Sequence, residues 1–169
     1  MRAVLLAALL ALGCRIDLDK RDDDANTTGR SCKVSTASVC VEAETHSDFT
    51  WIEDKIFAAN CFGSSCHTCA TASGKRDLSD GVSYATLMGP SGTGGVKANL
   101  APTHDLVVPG SPEKSYLYII MRGIEPEDAD PPVSPPPSNI GYMPMSNSLL
   151  CCQKIDAVER WIAAGAMND

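Results

Sequence analysis

The chain has 169 residues, 44% apolar and 21% charged, with a formal charge of −7; that is room for one domain and an extension. The acidic balance excludes a phosphate-backbone binder, which needs surplus Lys and Arg. No apolar run approaches the roughly 20 residues that span a bilayer, and aromatics are only 5%, so the core falls to Leu, Ile, Val, Ala and Met.

The chain opens with Arg2 and an apolar stretch from Ala3 to Gly13. This is the pattern of a signal peptide, and it is too short to span a membrane. It ends in Leu10-Ala11-Leu12-Gly13-Cys14, which is similar to a bacterial lipobox. Residues 1–13 are therefore expected to be a lipoprotein signal peptide, with Cys14 lipidated. The plainer alternative is a secretory signal cut near Gly13. Arg15 after the cysteine, by resemblance to Gram-negative lipoprotein sorting, favours the outer membrane. Either way the expected compartment is extracytoplasmic and permits disulfides.

Residues 14–46 are polar and lack periodicity, and read as a tether. Cys32 and Cys40, eight apart, are expected to close a small disulfide loop within it. The domain is assigned to 47–169. Thr50 and Glu53 have capping-box spacing. Phe49, Ile52, Ile56 and Phe57 fall on one helical face, which predicts a helix to about Asn60. A sulfur-rich turn follows from Cys61 to Cys69.

Ser79–Met88 predicts a short helix, and Gly89–His104 an irregular loop. Ser91-Gly92-Thr93-Gly94-Gly95 lacks the Lys of a phosphate loop. Val107-Val108-Pro109-Gly110 predicts a turn. Ser111-Pro112-Glu113 then reads as cap, first-turn Pro and first-turn acid of a helix ending at Gly123. Residues 125–138 hold six prolines, a stiff connector. The acids Glu125, Glu127, Asp128 and Asp130 read as a solvated loop, and His46 and His104 as surface residues. A last helix starts near Leu149 or Cys152, carries Ile155, Val158, Trp161 and Ile162 on one side and stops at Gly165. The class is mainly α, with short helices and long loops. Such a domain calls for an internal staple.

Cys61, Cys66 and His67 are the central feature. C-x-x-C-H is the signal for c-type haem attachment; here the spacer is four residues, with small Gly63, Ser64 and Ser65 inside it. Met143, before Pro144, is the candidate second axial ligand, and Met145 the fallback. His with Met raises the reduction potential. Cys66, His67, Cys69, Met143, Met145 and the Cys151-Cys152 pair are also ligand types for copper(I) or zinc, a reading that an oxidising compartment opposes. No general base or nucleophile is arranged for catalysis, so an enzyme is not expected.

Taken in order, the helix into Cys61, Cys66-His67, Leu78-Ser79, Val108-Pro109-Gly110-Ser111-Pro112, Ser115-Tyr116-Leu117, Met143-Pro144 and Trp161-Ile162-Ala163-Ala164-Gly165-Ala166 resemble the cytochrome-c-like domains of secreted and lipid-anchored bacterial proteins. The resemblance covers about residues 49–166. It implies a cytochrome-c-like fold whose first and last helices cross. Haem c would sit between the Cys-His turn and the Met loop, with Cys61 and Cys66 as thioethers and His67 and Met143 as axial ligands. It also implies electron transfer with an unidentified redox partner, and a bridge from Cys69 to Cys151 or Cys152. The family's two-residue spacer is absent. The alternative is a haem-free relative, a structural or partner-binding surface module with Cys61–Cys66 as a disulfide. Seven cysteines follow Cys14, and five remain after two thioethers; both numbers are odd, which leaves one thiol free or paired between chains.

Overall fold

The computed structural model describes residues 32–61, 67, 76–133, 143–144 and 150–169. These are mainly helical. Helix α1 is Ser38–Ala43, α2 is Phe49–Ile52, α3 is Ser83–Met88, α4 is Tyr116–Arg122 and α5 is Cys152–Ala163. Among the described residues there is no strand, only the isolated bridges Lys33–Cys151 and Lys97–Asp105. None of the described helices is long and apolar enough to cross a membrane.

The helix expected to run to Asn60 exists, but it changes pitch. After Ile52 it continues as a π-helix, Glu53–Cys61. Its buried residues, Ile56, Phe57 and Cys61, continue the face begun by Ile52. Steps of four and five residues along that face suit the wider i→i+5 turn.

The start of α2 differs from the capping-box reading. Asp48 is the cap, and its Oδ1 accepts from Trp51 N at 2.9 Å. Asp169 completes the cap: its Oδ1 accepts from Phe49 N at 2.9 Å and its backbone O from Thr50 N at 3.0 Å. Three exposed-end donors are thereby satisfied. Thr50 Oγ1 donates to Asp169 O. Glu53 instead accepts from Gly81 N at 3.0 Å and from Ser83 Oγ, and so serves the start of α3.

The core joins both ends of the domain. Phe49 of α2 packs against Trp161 of α5 with ring centroids 5.1 Å apart, and meets Tyr84 of α3 edge-on at 5.0 Å. Ile155, Val158, Trp161 and Ile162 are all buried, as their spacing predicts. Each such side chain contributes about 1.5–3 kcal/mol by leaving water. Trp161 Nε1 donates to Met167 O at 2.8 Å, so its one polar atom is paired.

The predicted helix from Ser111 is split. Pro112–Lys114 is a 3₁₀ turn, Ser115 is extended, and α4 begins at Tyr116. Ser115 causes the break: its Oγ donates to Ser111 O at 2.9 Å and accepts from Val108 N at 2.9 Å. A short hydroxyl side chain bonded to local backbone competes with helix. Gly123 ends α4 at φ 73°, the left-handed stop expected of glycine. Gly94 is needed for a different reason: at φ +82°, a Cβ there would lie 3.0 Å from Val107 O.

Residues 32–46 are the largest correction. They do not behave as a tether, because they are packed on α5. Cys32 pairs with Cys152 and Cys40 with Cys151. The expected Cys32–Cys40 loop is therefore absent, and a bridge from Cys69 to Cys151 or Cys152 is excluded because both partners are taken. Gln153 and Ser35 exchange two hydrogen bonds, at 3.2 and 2.8 Å. Arg160 Nη2 donates to Ala43 O and, at 2.9 Å, to His46 O, satisfying carbonyls at and just beyond the end of α1. Trp51 Nε1 donates to Glu42 Oε1 at 2.9 Å, and His46 stacks on Trp51 at 4.7 Å. Polar side chains and sulfur hold this segment, which is why no apolar period betrays it.

Candidate functional site

His67 is half-buried and held at three points. Its backbone N donates to Cys61 O at 3.3 Å, and its O accepts from Leu78 N at 3.1 Å. Its Nδ1 lies 3.0 Å from Arg76 O. A carbonyl only accepts, so Nδ1 carries the proton in the neutral ring and Nε2 keeps its lone pair. That arrangement is typical of a metal-ligating histidine, whose other nitrogen is fixed by a backbone carbonyl. The orienting carbonyl lies nine residues past His67, beyond any local motif, and sequence spacing did not reveal it.

Arg76 is itself anchored. Its Nη2 donates to Lys97 O and, at 3.0 Å, to Asn99 Oδ1. Lys97 pairs with Asp105 at 2.8 Å. The same loop feeds α4: Tyr116 N donates to Asp105 O and Leu117 N to Leu106 O, both at 3.0 Å. Met143 joins α4 directly, its N donating to Ile120 O at 3.2 Å. Ile120 O is one of the carbonyls that a helix end leaves unpaired. His67 and Met143 are thus tied to one frame, His67 through Arg76 and the 97–106 loop, Met143 by its own backbone. The Met143–Pro144 bond is cis, and Pro144 is buried.

Cys61 is buried at the end of the π-helix and is brought next to His67 by the backbone bond just described. Cys14, Cys66, Cys69 and Met145 lie outside the described residues. Of the donors the sequence nominates, the described residues include His67, whose Nδ1 is held by Arg76 O, the buried Cys61 on the adjoining turn, and Met143, tied by its backbone to α4.

The soft-metal reading loses two of its ligands, since Cys151 and Cys152 are in disulfides. Among the described residues no three His, Cys, Asp or Glu side chains gather as a metal site. His104 is not a surface residue: it is 2% exposed, Nε2 donates to Pro131 O at 2.7 Å, and Nδ1 accepts from Thr103 Oγ1 at 3.0 Å. It is a satisfied core histidine that fastens the start of the proline-rich connector. His46 is partly exposed and paired with Asp48 at 2.7 Å.

One residue near the site carries no sequence signal. Lys154, on the first turn of α5, is only 6% exposed. Its Nζ donates to Lys55 O at 2.6 Å and to Asn60 Oδ1 at 2.8 Å. Burial holds its ammonium below the ordinary lysine range; attraction to Cys61 offsets part of this and repulsion from Lys55 adds to it.

Comparison with protein-family models, with curated proteins and with solved structures returned no match.

Proposed function

We propose that this chain is an electron-transfer protein that carries one c-type haem on Cys61 and Cys66, with His67 and Met143 as axial ligands. Cys14 anchors it by lipid at an extracytoplasmic membrane surface, at the outer membrane by the Arg15 rule. The observation that carries the reading is the 3.0 Å contact between His67 Nδ1 and Arg76 O. It favours the tautomer with the proton on Nδ1, which would leave the Nε2 lone pair for an iron. A haem bound there would supply reversible one-electron chemistry. His67 would then be held against rotation by Arg76 O, and the backbone of Met143 by Ile120 O. No general base is required.

A second reading rests on the disulfides. Two bridges already staple the domain without a cofactor, and a disulfide typically contributes 2–4 kcal/mol. In that case the chain is a haem-free structural or partner-binding module. One experiment separates the two. The protein is exported in a host with c-type haem maturation, and its alkaline-pyridine absorption spectrum and intact mass are recorded. A c-type spectrum with the mass of one haem supports the first reading. No absorbance, with a mass accounted for by paired cysteines, sinks it and leaves the second.

A further inference from the structure

Two disulfides meet at the start of α5, and loop closure does not tell them apart. The Cys32–Cys152 and Cys40–Cys151 loops are nested, so with either bridge in place the other closes the same short ring. The helix dipole does not separate them either, because Cys151 caps α5 and Cys152 is its first residue. Their surroundings differ at two points. The first is exposure: Cys32, Cys40 and Cys151 are buried, whereas Cys152 is partly exposed. The second is charge. Arg122, in the last turn of α4, donates from Nη1 to Cys32 Sγ at 2.8 Å. Among the described residues no cationic side chain donates to the sulfur of Cys40, Cys151 or Cys152. Glu159 and Asp156 stand in the same neighbourhood, since they and Arg122 all act on the Tyr118 hydroxyl. The two carboxylates offset part of the guanidinium's charge, but its bond to sulfur is direct. A thiol beside arginine ionises more readily, and a thiol that ionises more readily leaves a disulfide faster.

We propose that Cys32–Cys152 is an exchangeable, redox-active disulfide whose substrate is a dithiol, and that Cys40–Cys151 is the structural bridge that holds the fold while it opens. This chemistry needs no cofactor and does not depend on the haem reading. The accessible sulfur and the better leaving group fall on opposite sides of the same bond. One thiolate of the dithiol attacks Cys152 Sγ, the bond between the two sulfurs breaks, and Cys32 leaves as a thiolate held by Arg122. The second thiol of the dithiol then attacks its own partner's sulfur, the mixed disulfide breaks, and Cys152 leaves. The dithiol is oxidised to a disulfide and the bridge is reduced by two electrons. Of the two protons released, one goes to Cys152 and one to solvent, Cys32 staying ionised. The opened pair is positioned to close again. Cys152 N still donates to Lys33 O at 3.1 Å, and Gln153 still exchanges hydrogen bonds with Ser35; none of these bonds involves sulfur.

The test uses the exported, oxidised protein. Thiols present at the start are capped with iodoacetamide and dithiothreitol is added. Newly released thiols are trapped over time with N-ethylmaleimide and located by fragmentation mass spectrometry. Cys32 and Cys152 are expected to be trapped about tenfold faster than Cys40 and Cys151. Glutathione marks the attacked sulfur, since a monothiol has no second thiol to resolve its mixed disulfide; it is expected on Cys152 and not on Cys32. Arg122→Leu is expected to slow release of Cys32 about tenfold, and Arg122→Lys, which keeps the charge, to stay near the wild-type rate. Equal release of all four cysteines, earlier release of Cys40 and Cys151, or glutathione on Cys32 overturns the proposal. An unchanged rate in folded Arg122→Leu overturns it as well. If Arg122→Leu does not fold, the order of release and the position of glutathione in the wild type decide.

Discussion

Removing the two disulfides singly and together tests how they share the work of stabilisation. Their sequence separations are 120 for Cys32–Cys152 and 111 for Cys40–Cys151. The bridges are nested, so they do not each close a long loop. With Cys40–Cys151 in place, the second bridge closes only the difference between the two separations, a ring of nine residue-to-residue steps through 32–40 and 151–152. In the chain-entropy treatment the long closure is worth about 4.8 kcal/mol at 25 °C, and the nine-residue closure about 2.6 kcal/mol. Replacing either pair by alanine should therefore cost about 2.5 kcal/mol, because the surviving bridge still closes the long loop. Replacing both pairs should cost about 7.4 kcal/mol, roughly three times a single removal rather than twice. The measurement is urea unfolding of the wild type, both double-alanine variants and the four-alanine variant, each fitted by linear extrapolation. A total loss of that size exceeds the stability of many domains of this length, so the four-alanine variant should be largely unfolded without denaturant. If it keeps a cooperative transition and has lost only twice the single-pair cost, the nested-loop reasoning is wrong.

Other expectations follow from the caps and the titrating groups. Asp48→Ala removes the α2 cap and should cost about 1 kcal/mol at neutral pH. Burial raises the Asp48 carboxyl, but hydrogen bonds from His46 and Trp51 N outweigh it and hold the pKa below the usual 3.8. Its contribution is thus present above that value and lost as pH falls through the folded pKa, so urea unfolding at pH 7 and pH 3 should show the variant's deficit shrinking in acid. Tyr118 donates to Glu159 at 3.1 Å, and burial, then the Glu159 charge, drives its pKa far above 10. The unfolded chain ionises first, so stability should fall as pH rises past about 10; Tyr118→Phe should flatten that fall, with Tyr116, also raised by burial, supplying the remainder. Gly123→Ala puts a Cβ at φ 73° and should cost about 1–2 kcal/mol, read as a lower thermal midpoint.

What the sequence disclosed follows the range of the forces involved. The faces of α2 and α5, the turn before Ser111 and the stop at Gly123 are written in local periodicity and glycine placement, and they appear where expected. The caps were harder. Thr50 and Glu53 have the right spacing, but Asp169 O takes the Thr50 amide, the Glu53 amide bonds within the helix to Phe49 O, and the Glu53 carboxylate is drawn to α3. The segment from Cys32 to His46 looks like linker because its partners, Gln153 and Arg160, are polar and more than a hundred residues away. Lys154 was hidden for a related reason: a lysine on an amphipathic helix reads as solvated, and only the carbonyl of Lys55 on another helix shows otherwise. At the candidate site, Cys61 and His67 were visible as residue types, whereas the Arg76 carbonyl that orients the imidazole belongs to the backbone and leaves no mark on composition.

The bridge from Cys32 to the first residue of α5 also decides where a mechanical load would travel. A pull applied between residue 31 and Asp169 passes from Cys32 across the sulfurs to Cys152 and on along α5. Residues 33–151, with the π-helix, α3, α4 and both anchors of the candidate site, lie off that path. The Cys40–Cys151 bond keeps the enclosed loop closed a second time. A pull at Asp169 first loads its hydrogen bonds to Phe49 and Thr50, and once these part the covalent tension runs only through α5 and the short stretch after it, with His67, Arg76 and Met143 off that path.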